Sequence, residues 1–443
     1  MHGAGGGRAK SLATRGNLDT MKILEEAKKL CANPIKLSWR DVRFEVEVLQ
    51  NEEEQKLDGR KTRRQMIVKD ATGYAAPGIA TYIMGASGAG KTSLLNILSD
   101  RVVMINKAKL SGTITFNDNI PLNQETFARY AAYVMQDDVL FSHFTVVEAL
   151  TFTARLKLTT PDSEQDKDVS RIIKELGLWH VKDSQIGDIR RKILSGGERK
   201  RTSIGVELVS DPSLIMLDEP TSGLDSFKAR SICKLLNDLA RMKGRTIVST
   251  IHQPSSEAFH YFDRIYLMAD GFTVFQGDAA ESMDWFRALK FQVPKRCNPA
   301  DFFMKALSIK YPKQKDDTDK LDLLNRTYKF QLAKRIDTEN GLIKLDPPKD
   351  YAAGAKAYKA TMIIQLNQLM YRSWTLAQRE PRISRAKIVQ TIIIAAFLIP
   401  TFWQLNDFAN CGNEEKLASP VCKRNNATEF HSMIGAMYFL CVM

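Results

Sequence analysis

The sequence predicts an α/β fold with a buried, largely parallel sheet, an antiparallel edge region at its start and an α-helical membrane portion at its end. Three observations carry this. From Ile35 to about Ser308, short β-branched apolar runs ("IATYIMG", "SLIMLDE", "TIVSTIH") alternate with stretches of helical period such as "DVSRIIKELGLWHV" and "SFKARSICKLLNDLARMKG". "IKLSWRDVRFEVEV" alternates apolar and polar residues more strictly, as a half-exposed antiparallel strand does. Ile388–Asn406, "IVQTIIIAAFLIPTFWQLN", carries no charge. The 443 residues have room for one large domain or two ordinary ones, and 44% hydrophobic content suffices for a core.

Taken in order, residues 1–34 open as "MHGAGGGRAKSLATRGNLDTMK", which lacks the apolar stretch of a secretory signal. They are expected to be a disordered Gly-rich tail, with a mitochondrial transit segment as the lesser alternative. Residues 35–309 form the α/β domain. Residues 310–353 turn charged and Pro-bearing ("KYPKQKDDTDKLD", "KLDPPKDYAAGAKAY"), which reads as a mobile linker with one helix in it. In 354–385, Ile363, Leu366, Met370 and Trp374 share one helical face. Such a helix packs into a core or lies on a membrane surface.

Residues 386–406 follow as a candidate transmembrane helix, since a span needs roughly 17–25 residues. Taken alone, the segment also fits a buried helix of a large soluble core. Arg372, Arg379, Arg382, Arg385 and Lys387 crowd its N-terminal side, which puts the large domain on the cytosolic side by the positive-inside rule. The net charge of +13 fits nucleic acid or anionic lipid, and the crowding of basic residues just before this segment weighs toward lipid. Residues 407–429 are then an extracytoplasmic loop, in which Cys411 and Cys422 either pair or stay as thiols and Asn426 opens a glycosylation sequon. The other cysteines are scattered and no CxxC pair occurs, so zinc-ribbon and thioredoxin chemistry have no support. Residues 430–443 are apolar. As a helix they rise only about 21 Å against a roughly 30 Å hydrocarbon layer, so the chain is expected to be cut off early in its membrane portion.

The chemistry lies in the α/β region. "GASGAGKT", comprising Gly85, Ala86, Ser87, Gly88, Ala89, Gly90, Lys91 and Thr92 with Ser93 behind, fits the phosphate-loop pattern between a strand and a helix. Its glycines let backbone N–H groups face a polyphosphate, and the helix N-terminus adds positive potential. Lys91 supplies charge and the Thr92 hydroxyl a ligand for Mg²⁺. "LIMLDEP" ends a strand in two acids, which divide into Asp218 on the metal and Glu219 on the attacking water. Gln136 in "YVMQDD" and His252 in "STIHQP" are bland alone and gain weight as members of this set. "LSGGE" sets Ser195, Gly196 and Gly197 before a helix, a second phosphate-binding surface. One domain already has its phosphate loop, so this surface is expected to cover nucleotide held by another copy.

The ordered set "GASGAGKT", Gln136, "LSGGE", "LIMLDEP", "SGLD" and His252 resembles the nucleotide-binding domain of the ABC transporter superfamily. "LSGGERKRTSIGVEL", "LDEPTSGLDS", "STIHQPSSE" and "CNPADFFM" resemble its G subfamily, the half-transporters related to white and brown. The resemblance implies a P-loop NTPase fold with an antiparallel β subdomain and a helical subdomain, binding ATP and Mg²⁺. It implies that Glu219 is the catalytic base, His252 a γ-phosphate switch and Gln136 a magnesium sensor. Asp225 would bridge two ATPase domains, and Phe44 would stack on adenine. The implied partners are a second half-transporter, membrane lipid and a small hydrophobic or amphipathic substrate. The alternative is a soluble non-transport ATPase of the same type acting on nucleic acid or ribosomes.

Overall fold

The computed structural model describes residues 20–49, 61–102, 107–187, 193–294, 297–309, 315–348 and 360–402. The chain divides into two compact units, Met1–Gln368 and Leu369–Met443.

The first unit is built on a ten-stranded sheet of order β5-β4-β1-β2-β10-β9-β3-β8-β7-β6. Its strands are β1 Leu37–Leu49, β2 Thr62–Ala75, β3 Ala80–Gly85, β4 Lys109–Phe116, β5 Ile120–Pro121, β6 Ala131–Val134, β7 Leu214–Leu217, β8 Thr246–Thr250, β9 Arg264–Ala269 and β10 Phe272–Asp278. The half from β9 through β3, β8 and β7 to β6 is parallel, and β1, β2, β4 and β5 pair antiparallel. The halves join where Phe272 pairs with Lys69. Both expected textures are therefore present, in one continuous sheet.

The parallel strands are buried almost throughout because both faces are covered, and their side chains are mostly apolar. Successive side chains point to opposite faces, so the strands divide between two cores. Tyr82, Met84, Ile215, Leu217, Ile247 and Leu267 join one. Ile83, Leu214, Met216, Val248, Tyr266 and Met268 join the other. The helix Lys91–Leu98 buries Leu94, Leu95, Ile97 and Leu98 in the second core. Helices Val146–Lys157, Asp162–Glu175 and Gly196–Leu208 bury Leu150, Ile173 and Ile204 in the first.

Two expectations about the ends of this unit change. The tail 1–34 contains a helix at 20–30 whose Leu24 and Ala27 are buried, so part of it is ordered packing. The linker 310–353 contains helices Lys315–Thr327 and Ala333–Leu342, joined by a π turn, Tyr328–Leu332. Leu321, Leu324, Tyr328, Leu332 and Ile336 join the first core. A buried network anchors the segment: Arg264 and Tyr74 both donate to Glu339 Oε2 at 3.0 Å. The buried Lys36 ammonium donates to the carbonyls of Asn340 and Ile343 at 2.9 and 2.7 Å, capping the second helix.

The helix Met362–Arg379 exposes all four residues of its expected apolar face. The following helix is Pro381–Phe402, 22 residues long. Among the described residues no helix is long and apolar enough to cross a membrane. The expected span 386–406 is helical as far as Phe402, and its last residues lie outside those described, as do the loop 407–429 with Cys411, Cys422 and Asn426, and residues 430–443.

Candidate nucleotide site

β3 delivers the glycine-rich turn and the helix Lys91–Leu98 receives it, the strand–loop–helix order expected. Two glycines are required by geometry. A Cβ on Gly85 would lie 2.3 Å from the Met268 carbonyl oxygen, and Gly90 adopts φ 91° at the helix N-cap. Gly88 has no heavy atom within 4 Å of where its Cβ would stand, so the crest of the loop faces open space. Ser87 is exposed, Ala89 is buried, and Ser93 is half-buried on the first helical turn.

Lys91 is 6% exposed, and its ammonium donates back to the carbonyls of Gly85 and Ala86 at 3.0 and 3.1 Å. Burial lowers its pKa, against the opposing pull of Glu219 and Asp218. The lysine is thus held inside the turn with its charge poorly compensated, which suits it to an arriving polyanion.

The two acids follow β7, beside the loop. Asp218 Oδ1 accepts from Thr92 Oγ1 at 3.1 Å and from Thr250 Oγ1 at 2.6 Å. The Glu219 amide donates to the same Thr250 oxygen at 2.8 Å. Glu219 has φ 43°, a left-handed conformation disfavoured for a non-glycine residue. Its Oε2 accepts from the Gln136 amide at 3.2 Å. Hydrogen bonds therefore link Thr92 to Asp218, Asp218 to Thr250 and Thr250 to the backbone of Glu219, whose side chain meets Gln136. Thr92 and Asp218 bring hard oxygen donors together at the foot of an open anion cradle. That fits Mg²⁺, which binds few protein oxygens and completes its shell with phosphate and water. Among the described residues no group of three or more His, Cys, Asp or Glu side chains is assembled, so a soft-metal centre has no basis there.

His252 is exposed and lines a cleft of about 330 Å³ with Glu219, Thr221, Ser222, Gly223 and Gln253. The structure thus brings Lys91, Thr92, Asp218, Glu219 and Gln136 together, with His252 beside Glu219.

Ser195, Gly196 and Gly197 have a different setting. Ser195 caps the helix Gly196–Leu208: its hydroxyl accepts from the Glu198 amide at 3.4 Å, and Glu198 Oε2 accepts from the Ser195 amide at 2.8 Å. Ser195 and Gly196 are exposed. Gly196 faces Leu224 and Gly197 faces Lys228, so the turn packs beside Asp225 of the same chain. Asp225 caps its own helix, Ser226–Lys243, accepting from the Lys228 amide at 2.9 Å. Its side-chain and backbone hydrogen bonds with Lys228 hold its pKa below the usual carboxylate value.

Phe44 requires a correction. It is 8% exposed and packs in the second core with Val42, Val68 and Leu94, so its ring is not displayed as a stacking surface. The stacking role came from the resemblance, whereas the alternation of β1 turns Phe44 to the buried face.

Sequence reasoning missed Lys200 and Thr250. Lys200, one turn into the helix after Ser195, is 3% exposed. It donates to the Gln136 carbonyl at 2.8 Å and pairs with Asp138 at 2.7 Å. This fastens the Gln136 turn to the helix that carries the Ser195 turn. A basic run after two glycines reads as a solvated face, and only burial separates Lys200 from its neighbours.

Two family models match the chain: "ABC transporter" over residues 68–222 and "ABC-2 type transporter" over residues 252–335. The chain is 36% identical over 339 residues to Protein white of Drosophila melanogaster, covering 76% of this chain and 49% of that one. It is 32% identical over 407 residues to ABC transporter G family member 26 of Arabidopsis thaliana, covering 85% and 54%. It is 34% identical over 370 residues to the broad substrate specificity ATP-binding cassette transporter ABCG2 of Mus musculus, covering 78% and 55%. The chain thus spans about half the length of the curated relatives it matches.

Proposed function

The chain belongs to the G subfamily of the ABC transporter superfamily, and from that premise we propose that it is the ATP-binding and ATP-hydrolysing half of a dimeric exporter. The observation that carries this reading is the set of hydrogen bonds that ties Thr92 and Asp218 through Thr250 to Glu219, and Glu219 to Gln136, built beside a lysine buried in a glycine turn.

The loop amides and Lys91 bind the polyphosphate of ATP. Thr92 and Asp218 hold Mg²⁺, which neutralises charge on the phosphates. Glu219, oriented by the Gln136 amide and by its own constrained backbone, accepts the proton of the attacking water. Gln136, bonded to Glu219, serves as the magnesium sensor, and His252, which lines one cleft with Glu219, answers the γ-phosphate. Ser195, Gly196 and Gly197 cover nucleotide held by a second half-transporter. Two features support that role: the exposure of Ser195 and Gly196, and their place at the N-terminal end of a helix, whose dipole favours an anion. Asp225 meets the partner domain from the adjoining helix.

ATP binding draws two such domains together and hydrolysis parts them. The exposed apolar face of Met362–Arg379 passes the motion to membrane helices. Membrane lipid surrounds that portion and the ATPase domain faces the cytosol. The cargo is a lipid-like or amphipathic molecule. A soluble ATPase acting on nucleic acid or ribosomes is not favoured, because relatives named as transporters match across most of the chain.

The experiment is MgATP hydrolysis by the 443-residue chain in lipid vesicles, compared with Glu219→Gln. Turnover in the wild type and its loss in the variant support the reading. Equal turnover in both would remove Glu219 from its role.

A further inference from the structure

Thr250 is the last residue of β8, two positions before His252, and it is fully buried. In the sheet β8 lies between β3, which carries the phosphate loop, and β7, which carries the two acids. Thr250 pairs with Ile83 on one side, and Ser249 pairs with Leu217 on the other. Its hydroxyl therefore sits where the loop strand, the acid strand and the histidine strand end together.

A hydroxyl has one proton to donate and lone pairs to accept with. Thr250 donates to Asp218 Oδ1 at 2.6 Å and accepts from the Glu219 amide at 2.8 Å. One oxygen thus fixes the side chain of the first acid and the backbone of the second. Each needs that hold. Asp218 is 5% exposed, and its other hydroxyl donor, Thr92, is itself a candidate ligand for Mg²⁺. Glu219 sits at φ 43°, a conformation that persists only where its surroundings impose it.

We propose that Thr250 is a positioning residue of the ATPase reaction, whose single hydroxyl holds Asp218 in register for Mg²⁺ and Glu219 in register for water. It touches neither nucleotide nor metal and acts through the two acids. The role rests on the ATPase reading above.

The test uses the 443-residue chain with Thr250→Val, which keeps the side-chain shape and removes the hydroxyl, and Thr250→Ser, which keeps the hydroxyl. A fluorescent ATP analogue is titrated with Mg²⁺ and again in EDTA, and MgATP turnover is measured alongside. In EDTA the Val variant is expected to bind as the wild type does, which also shows that its site is folded. The gain in affinity that Mg²⁺ confers is expected to fall roughly 10–100-fold, with a comparable loss of turnover, as for other residues that orient a metal ligand. Thr250→Ser is expected to restore both. Wild-type Mg²⁺ dependence in the Val variant, or equal losses in Val and Ser, overturns the proposal. If the Val variant does not fold, Thr250→Cys, a weaker donor, takes its place. An intermediate Mg²⁺ dependence is then expected, and wild-type dependence overturns the proposal. A wild-type chain that neither binds nor hydrolyses MgATP instead overturns the ATPase reading, before any substitution is made.

Discussion

The chain carries two glycine-bearing turns that each open a helix, and they differ in how far their own chain completes them. Around Gly85–Thr92, Lys91 and Asp218 are buried; Lys91 donates within its own turn, and Asp218 accepts from Thr92 and Thr250, each on another element. Around Ser195–Gly197, the serine is exposed and its hydrogen bonds stay within its own helix turn. Asp225 beside it is likewise exposed and bonded three residues along. Burial and long-range hydrogen bonds are what preorganise a catalytic group. By that measure the first turn is a finished half-site, whereas the second is a capped helix end whose wider use depends on what approaches it.

Substitutions can break this contrast, beginning with the largest effect. Glu219→Gln is expected to lower MgATP turnover about 10²–10⁴-fold, the range of a lost general base. Its affinity for MgATP should stay near the wild-type value, so a steady-state ATPase assay paired with equilibrium binding checks both. Lys91→Ala is expected to weaken nucleotide binding by about 2–5 kcal/mol, since it removes a buried charge from its phosphate partner. Calorimetric titration with ATP measures this, and unchanged affinity would make the first turn incidental.

Glu339→Ala tests stability apart from either turn. Breaking its buried pairing with Arg264 and Arg335 is expected to cost about 3–5 kcal/mol, read from denaturant unfolding. Burial alone would raise the Glu339 pKa, but the two arginines outweigh it and hold it below the usual value of 4.5. Its contribution should therefore be fully present above about pH 4.5 and fade as pH falls toward the lowered folded-state value. The variant should show a flatter acid limb than the wild type.

Ser195→Ala is the smallest perturbation. Loss of the cap should cost about 1 kcal/mol in stability. Turnover that drops much further than nucleotide affinity would show that the serine serves nucleotide held elsewhere. A drop no larger than the lost stability explains would leave it a cap.

The residues of the first half-site were legible because their chemistry is local. A phosphate loop needs its glycines, lysine and hydroxyl within one turn, and the flanking strand and helix announce themselves by period. The 310–353 segment was misread because its charge outweighed its pattern. Leu321, Leu324, Tyr328, Leu332 and Ile336 do recur at helical spacing, diluted by the acids and lysines on the outer face. Phe44 was misassigned for the converse reason: its position suggested a role, while the alternation of β1 had already committed the ring inward.

By itself the sequence determined the alternating α/β texture, the antiparallel start, the phosphate loop, the acid pair and the helix behind Ser195. These follow from periodicity and from contacts a few residues apart. Tertiary structure alone decided that Thr250 bridges Asp218 and Glu219, that Lys200 grips the Gln136 turn, and that Arg264 and Lys36 anchor the 315–348 segment. Those partners lie from 31 to 307 residues apart along the chain. A buried hydroxyl or ammonium must find its partner wherever the sheet order places one, and strand order is not written in any local pattern.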